Sequence, residues 1–331
     1  MSVKSMEVKT WSTPVSEEEG RIVPCTLCGG MEFVPHFICT ETAGGGSFCY
    51  VRCGHCGLVQ INPQPSPASI AARYGEAHGG DYLAYERANE GAFLRLQELA
   101  LKDAGFFDPE APPGAGDTGS NPPRGGSASS KTDRAGPGRV LDVGCATGAL
   151  LEMLQNRGWT ATGVELSGPQ AAYCRSRGLD VHSGRLEECS FPAGSFDAIL
   201  ASHLIEHLND PGNFVREAGR ILKPGGRLYI STPNISGLQA RLFRGRWRSA
   251  IFDHLYLFSV RTLRLLLEGA GFRVERIVTW GGLAAGLAPG WIKKIFDTLA
   301  KPWGFGDVMI LRALLPDPEN ETGTNLPWTG G

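Results

Sequence analysis

The sequence has no large excess of charge of either sign: 32 lysines and arginines stand against 34 aspartates and glutamates in 331 residues. Such a balance produces no overall field that would draw the chain to nucleic acid or to an anionic membrane, so any such contact has to be local. Aromatic residues are also few, at 9%, but a hydrophobic content of 42% suffices for one full-sized core and a small extra module. The composition predicts a globular protein without a nucleic-acid partner.

Long apolar runs are missing as well. None approaches the roughly 18 to 20 residues needed to span a bilayer, and residues 1–20 lack the apolar core of a signal peptide. Nine cysteines are too few for a disulfide scaffold of this length. These absences predict a cytoplasmic location, where thiols stay reduced and cysteine spacing points to another role.

Four cysteines form two C-x-x-C pairs, in CTLCGG and CGHCG, and each pair is followed by glycine. This is the knuckle pattern of a zinc ribbon, in which two tight turns direct four thiolates at one point. A redox C-x-x-C would normally occur once and at the start of a helix. His36 and His55 are close enough in sequence to be alternative ligands. The predicted ligands of a structural Zn²⁺ are Cys25, Cys28, Cys53 and Cys56.

Composition also divides the rest of the chain. The stretch 108–138 consists mainly of Pro, Gly, Ser and charged residues with almost nothing to bury, which predicts disorder. Before it, the leucines between Leu94 and Leu101 predict a helix with one apolar side. The predicted segments are a flexible N-terminus (1–20), a zinc ribbon (21–65), a helical connector (66–107), a disordered linker (108–138), a second domain (139–316) and a flexible tail (317–331).

In the second domain, strand-like segments alternate with helix-like segments, beginning with RVLDVG, GALLEMLQNRG, TATGVELS and PQAAYCRSRG. This alternation predicts an α/β fold: a Rossmann-like, doubly wound and mostly parallel sheet with helices on both faces. The late segment DVMILRAL is predicted to be its antiparallel edge strand. In such sheets a ligand binds at the carboxyl ends of the strands, so the first strand–helix turn is the predicted binding site.

That turn reads DVGCATG, from Asp142 to Gly148. A dinucleotide-binding turn has the pattern G-x-G-x-x-G, but Ala146 stands where the second glycine would make room for pyrophosphate. A P-loop needs Gly-Lys-Ser or Gly-Lys-Thr, and neither follows here. The glycines of the turn let a ligand come close to its backbone. The acid at its start, Asp142, favours a ligand with a positive charge.

The segment VLDVGCATG resembles the first motif of class I S-adenosylmethionine-dependent methyltransferases, and the later motifs of that family follow in order up to about Leu315. The resemblance implies S-adenosylmethionine as cofactor, with Glu165 accepting hydrogen bonds from both ribose hydroxyls. It places the adenine contact near Arg185, where the family often has Asp. The cofactor-binding residues that the resemblance implies are Asp142, Gly144, Cys145, Gly148, Glu165, Leu166, Leu186, Glu187, Ser202 and His203.

The segment SHLIEHL follows the fourth strand of this domain, over the expected position of the sulfonium. An imidazole that titrates near neutrality is a suitable base for a hydroxyl acceptor, so we predict His207 as the base, with Glu206 beside it and His203 as a lower-ranked candidate. His254, in IFDHLYLFS, is the rival base. The adjacent Glu206 and His207 have two alternative roles. They could orient the loop or the substrate, or they could hold a divalent metal, as in some quinone-precursor O-methyltransferases that have a similar Glu-His pair.

The segment 237–258 lies where the family usually builds a lid over the acceptor. Its arginines, together with Phe243 and Trp247, predict a basic, aromatic surface suited to a phosphate, a carboxylate or the surface of an anionic membrane. An ordinary amphipathic surface helix is the alternative. The arginines of this predicted lid are Arg241, Arg244, Arg246 and Arg248.

With its zinc-ribbon prefix, the chain resembles the small-molecule branch of the family, which modifies sugars, surface glycans and other secondary metabolites. The resemblance implies O-methylation of a small molecule, a sugar or a glycan or lipid-linked intermediate. A non-catalytic zinc-ribbon binding protein on the same fold is an alternative, although the two acids Asp142 and Glu165 argue against it. A nucleic-acid methyltransferase ranks lower, because no Asn-Pro-Pro-Tyr-type segment follows the fourth strand and the chain is not basic.

Overall fold

The computed structural model of the chain describes residues 21–40, 47–66, 76–108, 137–281 and 304–318. The predicted N-terminal segment 1–20, nearly all of the predicted linker 108–138 and most of the predicted tail 317–331 lie outside the described residues.

The N-terminal module contains a β-hairpin. Strand β1 (Phe33–Thr40) pairs antiparallel with β2 (Ser47–Cys53), and β2 pairs antiparallel with β3 (Val59–Ile61). The two cysteine knuckles flank this hairpin, one before β1 and one between β2 and β3. The sheet thus brings two segments that are far apart in sequence to the same end of the module.

A long helix, α1 (Glu76–Asp103), occupies the predicted connector and packs against the second domain. Leu101 is buried and Leu94, two turns earlier, is half-buried, but Leu96 and Leu99 are 64% and 57% exposed. The prediction that all these leucines share one apolar side is therefore wrong for Leu96 and Leu99, which the helical repeat places on the opposite side. Among the described helices, none is long and apolar enough to cross a membrane.

The second domain is built on a central sheet. Its strands are β4 (Arg139–Val143), β5 (Thr160–Glu165), β6 (Val181–Ser183), β7 (Phe196–Ser202), β8 (Leu222–Pro233), and, after the short strand β9 (Tyr256–Leu257), β10 (Arg273–Trp280) and β11 (Val308–Leu314). In the described part of the chain the spatial order is β10-β11-β8-β7-β4-β5-β6. The strands from β8 to β6 are parallel. The predicted α/β fold class is confirmed.

The segment DVMILRAL forms β11, which runs antiparallel to both of its neighbours, β10 and β8. It is therefore antiparallel as predicted, but it lies one position inside the edge, because β10 continues the sheet beyond it. The helices that cover the sheet are α2 (Ala149–Asn156), α3 (Gly168–Ser176), α4 (Pro211–Ile221), α5 (Leu238–Phe243) and α6 (Val260–Gly269).

Strand β9 joins the two modules, because it belongs to the predicted lid and yet pairs with β3 of the ribbon sheet. A further backbone hydrogen bond runs from Ile61 N to Leu255 O at 2.9 Å. The buried hydroxyl of Tyr50 lies 2.7 Å from the carbonyl oxygen of His254 and 2.9 Å from that of Ile251, and donates to them. The lid therefore supplies the last strand of the ribbon sheet.

Candidate active site and metal centre

The turn between β4 and α2 depends on two glycines in the left-handed region. The φ angles of Gly144 and Gly148 are 77° and 80°, values that L side chains rarely adopt. A Cβ on Gly144 would lie 3.4 Å from a methyl group of Leu204, so the loop after β7 touches this turn. Ala146 has φ 48° although it is not glycine, and its N–H donates to Glu165 Oε2 at 2.9 Å. The turn presents its backbone at the carboxyl end of β4.

Glu165, the last residue of β5, is buried beside this turn. One carboxylate oxygen accepts from Ala146 N and the other from Ser167 N, both at 2.9 Å. Burial raises the pKa of Glu165, and these backbone donors oppose the rise. Since each carboxylate oxygen has a second lone-pair site, Glu165 can still accept hydrogen bonds from a ligand.

Asp142 is only 2% exposed, and none of the described residues donates a hydrogen bond to its carboxylate or forms an ion pair with it. Burial, followed by the negative charge of Glu165, raises the pKa of Asp142 to about 7. A buried carboxylate without a partner is costly, and a cation supplied by a ligand would remove that cost. The two acids therefore make this turn a site for a positively charged ligand.

The other predicted cofactor residues lie at the same edge of the sheet, at the ends of β5, β6 and β7. Leu166 is 42% exposed, Leu186 is buried and Glu187 is exposed. Ser202 Oγ is 2.9 Å from Ser231 Oγ, which ties the ends of β7 and β8 together. The side chain of Cys145 is buried in the apolar cluster behind the turn, so only its backbone is available to a ligand.

His203 is a strained residue at the end of β7. Its φ is 51°, and its N–H donates to Ser231 O at 2.9 Å. A non-glycine residue in this region costs about 1–3 kcal/mol and persists only where the surroundings hold it in place. Such strain is typical of functional sites, and here it places the imidazole next to a buried acid.

That acid is Glu206, which is completely buried. Its Oε2 accepts from Thr232 Oγ1 at 2.9 Å, and its Oε1 lies 3.3 Å from His203 Nδ1. The rings of His207 and His254 meet edge to face with their centroids 4.6 Å apart. The donor atoms of Glu206, His207 and His254 all lie within 4.8 Å of one another. The structure thus brings the three predicted catalytic residues together.

Charges within this cluster can be assigned. Burial opposes ionisation of Glu206, but the hydrogen bond and charge of His203, with the charges of His207 and His254, lower the pKa of Glu206 to about 2. Burial lowers the pKa of His254 to about 4, although Glu206 opposes this. His254 Nδ1 lies 2.8 Å from Ser249 O, so Nδ1 carries the proton and Nε2 keeps a free lone pair. At neutral pH the cluster holds one carboxylate and a neutral His254, a set that can accept a proton or bind a divalent cation.

The predicted lid needs a correction. Trp247 is buried, and its Nε1–H donates to Asp307 Oδ1 at 2.5 Å. The guanidinium of Arg248 is bonded to the other oxygen of Asp307, at 2.7 Å. Asp307 is itself fully buried, so the indole N–H of Trp247 serves as its hydrogen-bond donor and the guanidinium of Arg248 as its countercharge. Trp247 is therefore not part of the lid surface. The side chain of Arg248 is 66% exposed and remains on that surface with Arg241, Arg244 and Arg246.

The four knuckle cysteines come together at one point. Cys25 Sγ and Cys56 Sγ are 3.4 Å apart, Cys28 Sγ and Cys53 Sγ are 3.5 Å apart, and all four sulfurs lie within 4.8 Å of one another. A tetrahedral site with Zn–S bonds of about 2.3 Å requires sulfurs about 3.8 Å apart, so this set fits Zn²⁺. His55 instead lies 3.6 Å from Glu32.

The thiols of this cluster are unequally acidic. Burial raises the pKa of Cys25 and that of Cys56. Burial acts in the same direction on Cys53, but hydrogen bonds from the backbone of Cys56 and His55 lower the pKa of Cys53 to about 6. A thiolate stabilised by backbone N–H groups is the usual form of a zinc ligand.

Comparisons with known proteins agree with this geometry. Residues 124–277 match the family model described as a methyltransferase domain, a little under half of the chain. A ubiquinone biosynthesis O-methyltransferase of Xanthomonas oryzae is 37% identical over 121 residues, which are 34% of this chain and 50% of the relative. A probable S-adenosylmethionine-dependent methyltransferase of Mycolicibacterium smegmatis is 33% identical over 138 residues, 41% of this chain and 52% of the relative.

The chain contains a class I S-adenosylmethionine-dependent methyltransferase domain. It spans about half the length of the curated relatives it matches. Among solved structures, it is similar to a Thermotoga maritima S-adenosylmethionine-dependent methyltransferase described as a possible histamine N-methyltransferase. The TM-score is 0.43 and the identity 26%, and the match covers 54% of this chain and 82% of that chain.

In this methyltransferase domain the buried Asp142 carboxylate, which has no partner among the described residues, matches the chemistry of S-adenosylmethionine, which carries an ammonium group and a sulfonium. Glu165 has lone pairs left for the two ribose hydroxyls. The residues present therefore fit the cofactor.

Three supporting residues could not be identified from the sequence. Tyr50 fixes the backbone of His254 across 204 positions, Thr232 fixes Glu206, and Ser249 sets the tautomer of His254. A polar residue next to the end of a parallel strand is a weak signal that could have pointed to Thr232. Tyr50 and Ser249 act through hydrogen bonds to and from the backbone, for which no sequence pattern exists.

The first testable prediction is that the purified chain holds about one zinc, because a four-thiolate site contributes folding free energy directly. Elemental analysis of the Cys53→Ser, Cys56→Ser double variant is expected to show no zinc, whereas Cys49→Ser, which changes a thiol outside the cluster, should keep it. Undamaged parent protein without zinc, or a double variant that retains it, would refute the site.

The second prediction concerns Glu165. Glu165→Ala is expected to weaken S-adenosylmethionine binding by about 2 to 4 kcal/mol, because a buried charged acceptor of two hydroxyls is lost. Glu165→Gln keeps one acceptor oxygen and should lose less. Calorimetric titration measures both, with the exposed Glu268→Ala as control. A Glu165→Ala variant that binds as tightly as the parent would show that the ribose lies elsewhere.

The third prediction is a pH dependence. The pKa of Asp142 is raised to about 7 in the free protein, and a cationic ligand would lower it. Affinity for S-adenosylmethionine should then be full above that pKa and fall by about tenfold between pH 8 and pH 6, as the carboxylate must lose a proton to bind. Titrations at both pH values test this. Asp142→Asn should flatten the dependence; an unchanged slope in that variant contradicts the assignment.

Proposed function

We propose that the protein transfers the methyl group of S-adenosylmethionine to a hydroxyl oxygen of a small molecule, a sugar or a glycan or lipid-linked intermediate. The observation that carries this proposal is the cluster of Glu206, His207 and His254 beside the loop that touches the cofactor turn at Gly144. The name of the Xanthomonas relative, an O-methyltransferase, supports oxygen as the acceptor atom.

When bound, S-adenosylmethionine supplies an electrophilic methyl group on its sulfonium sulfur. The acceptor hydroxyl would form an O–C bond to that methyl group as the S–C bond breaks, and its proton would have to leave to a nearby base. His207, which is half-buried next to the acid, is the proposed acceptor of that proton. His254 is the rival, since its Nε2 lone pair is available while Nδ1–H remains bonded to Ser249 O.

In this proposal Glu206 does not receive the proton. It positions the neighbouring histidines and stabilises the imidazolium that forms on one of them. Its low pKa keeps it ionised, so that an imidazolium forming on a neighbouring histidine would gain a negative partner in a dry environment. The hydroxyl of Thr232 and the imidazole of His203 hold the carboxylate in place. A divalent cation on Glu206, His207 and His254 is the alternative, in which the metal would lower the pKa of a coordinated hydroxyl.

The fourth prediction separates these roles by kinetics. With an acceptor found by screening for S-adenosylhomocysteine release, His207→Ala is expected to lower kcat by about 10²- to 10⁴-fold with little change in cofactor affinity, because a positioned base is lost. His254→Gln avoids an empty cavity and tests the rival. The control is His182→Ala, at an exposed histidine of β6 outside the cluster.

The outcomes decide the assignment. A large decrease in kcat in His254→Gln alone would assign the role of the base to His254 in the lid. Activity that a chelator abolishes while the bound zinc remains, and that Mg²⁺ restores, favours the metal alternative. If neither histidine variant slows a confirmed methylation by more than a few-fold and no metal is needed, alignment without a protein base is the better account. An S-adenosylmethionine-binding chain without transfer to any acceptor would favour a non-catalytic binding protein.

A further inference from the structure

A cavity lies between the predicted zinc ribbon and the methyltransferase domain. It has a volume of about 790 Å³, within the range of small-molecule binding sites. One wall is formed by the ribbon, from His36, Arg52 and the knuckle at Cys56. The other is formed by the lid and by the first turn of α6. None of the predicted cofactor or catalytic residues lines this ribbon–lid cleft.

The charge of the cleft is of one sign. Among the described residues that line it are five arginines and one histidine, and none of them is an aspartate or a glutamate. Only Arg264 has a described acidic neighbour, Glu268, at 3.9 Å. None of the other four arginines forms an ion pair with any carboxylate in the described part of the chain. The arginines of the cleft are Arg52, Arg241, Arg244, Arg261 and Arg264.

These cations converge from three separate elements. Burial lowers the pKa of His36, and the positive charges of Arg52 on β2 and Arg244 beside α5 lower it further, which shows that ribbon and lid charges act on the same place. Arg261 at the start of α6 donates from Nη1 to Cys56 O at 3.3 Å, so it is anchored at the zinc knuckle. Unpaired like charges brought together by folding repel one another, and a bound anion would relieve that repulsion.

Two further features indicate the kind of anion. The first turn of α6 lines the cleft, and its partial positive charge adds to that of the guanidinium groups. Guanidinium forks match the geometry of phosphate oxygens. Apolar side chains, Phe37, Val59, Ile235 and Val260, complete the lining. The cleft therefore offers apolar surface for an organic part next to a strongly positive region.

We propose that the ribbon–lid cleft binds the phosphate or diphosphate group of a small organic molecule. The chemistry would be the same for a soluble phosphorylated compound and for a lipid headgroup, and the two arms of the test distinguish these sources. The proposal does not require methyl transfer, so it stands or falls separately from the proposed function.

The test is calorimetric titration of the zinc-loaded full chain with inorganic pyrophosphate in the absence of S-adenosylmethionine. We expect saturable binding to the parent. Arg52→Gln and Arg244→Gln should each weaken it by about tenfold, because each removes a charged hydrogen-bond donor. The matched control is Arg246→Gln, which removes the same charge two residues from Arg244 but outside the cleft and should change affinity less than about twofold.

The proposal is overturned if the parent does not bind pyrophosphate. It is also overturned if Arg246→Gln loses as much pyrophosphate affinity as Arg52→Gln and Arg244→Gln. A second arm uses phosphatidylcholine vesicles that contain phosphatidic acid. Vesicle binding that pyrophosphate displaces supports the cleft as the phosphate site. Vesicle binding in a protein that takes no pyrophosphate would assign the arginines to a membrane surface and overturn the soluble ligand. Unchanged zinc content shows that each variant keeps the ribbon folded.

Discussion

The pairing of β3 with β9 is the interaction on which the other sites depend. Two residues of the lid, Tyr256 and Leu257, extend the ribbon sheet, and Tyr50 of the ribbon holds the carbonyl groups just before them. His254 carries one of these carbonyl groups and lies two residues before β9. A buried hydroxyl bonded to two backbone carbonyls is expensive to disrupt, since the freed groups could not reach water. The position of a candidate catalytic side chain is thus fixed by a module that was predicted only to bind zinc.

The predicted zinc would have a role beyond local stability. The knuckle cysteines Cys25, Cys53 and Cys56 pack in the same apolar cluster as Leu255 and Phe258, the residues just before and just after β9. The second knuckle leads from β2 into β3, and β3 pairs with β9 of the lid. A metal bound to the four thiolates would order both knuckles and would supply much of the folding free energy of a module that buries little surface of its own. The lid would then be coupled thermodynamically to the metal.

The sequence was most informative where chemistry requires a fixed local pattern. The sequence predicted the turn from Asp142 to Gly148 and the two knuckles. The roles of their residues depend on backbone conformation and on spacing within a few positions. Long-range contacts were not accessible: β9 is too short to show a strand period, and Tyr50 is separated from His254 by 204 positions. Trp247 was predicted as surface because its neighbours are arginines. Its burial follows from Asp307, a remote acid that needs a donor.

Charge explains why a nearly neutral chain can have two strongly polar sites. The net charge of −2 conceals a separation of charge. The buried carboxylates of Asp142, Glu165 and Glu206 lie at the carboxyl ends of the parallel strands, while the five arginines of the cleft lie on the ribbon side of the lid. Buried charges in a low-dielectric interior interact strongly over short distances and are screened from each other by the protein and by salt over longer ones. Such a separation lets one fold attract a cation and an anion at once without a net field. A cationic methyl donor and a phosphorylated compound would then occupy different places, and neither would compete for the charges that hold the other.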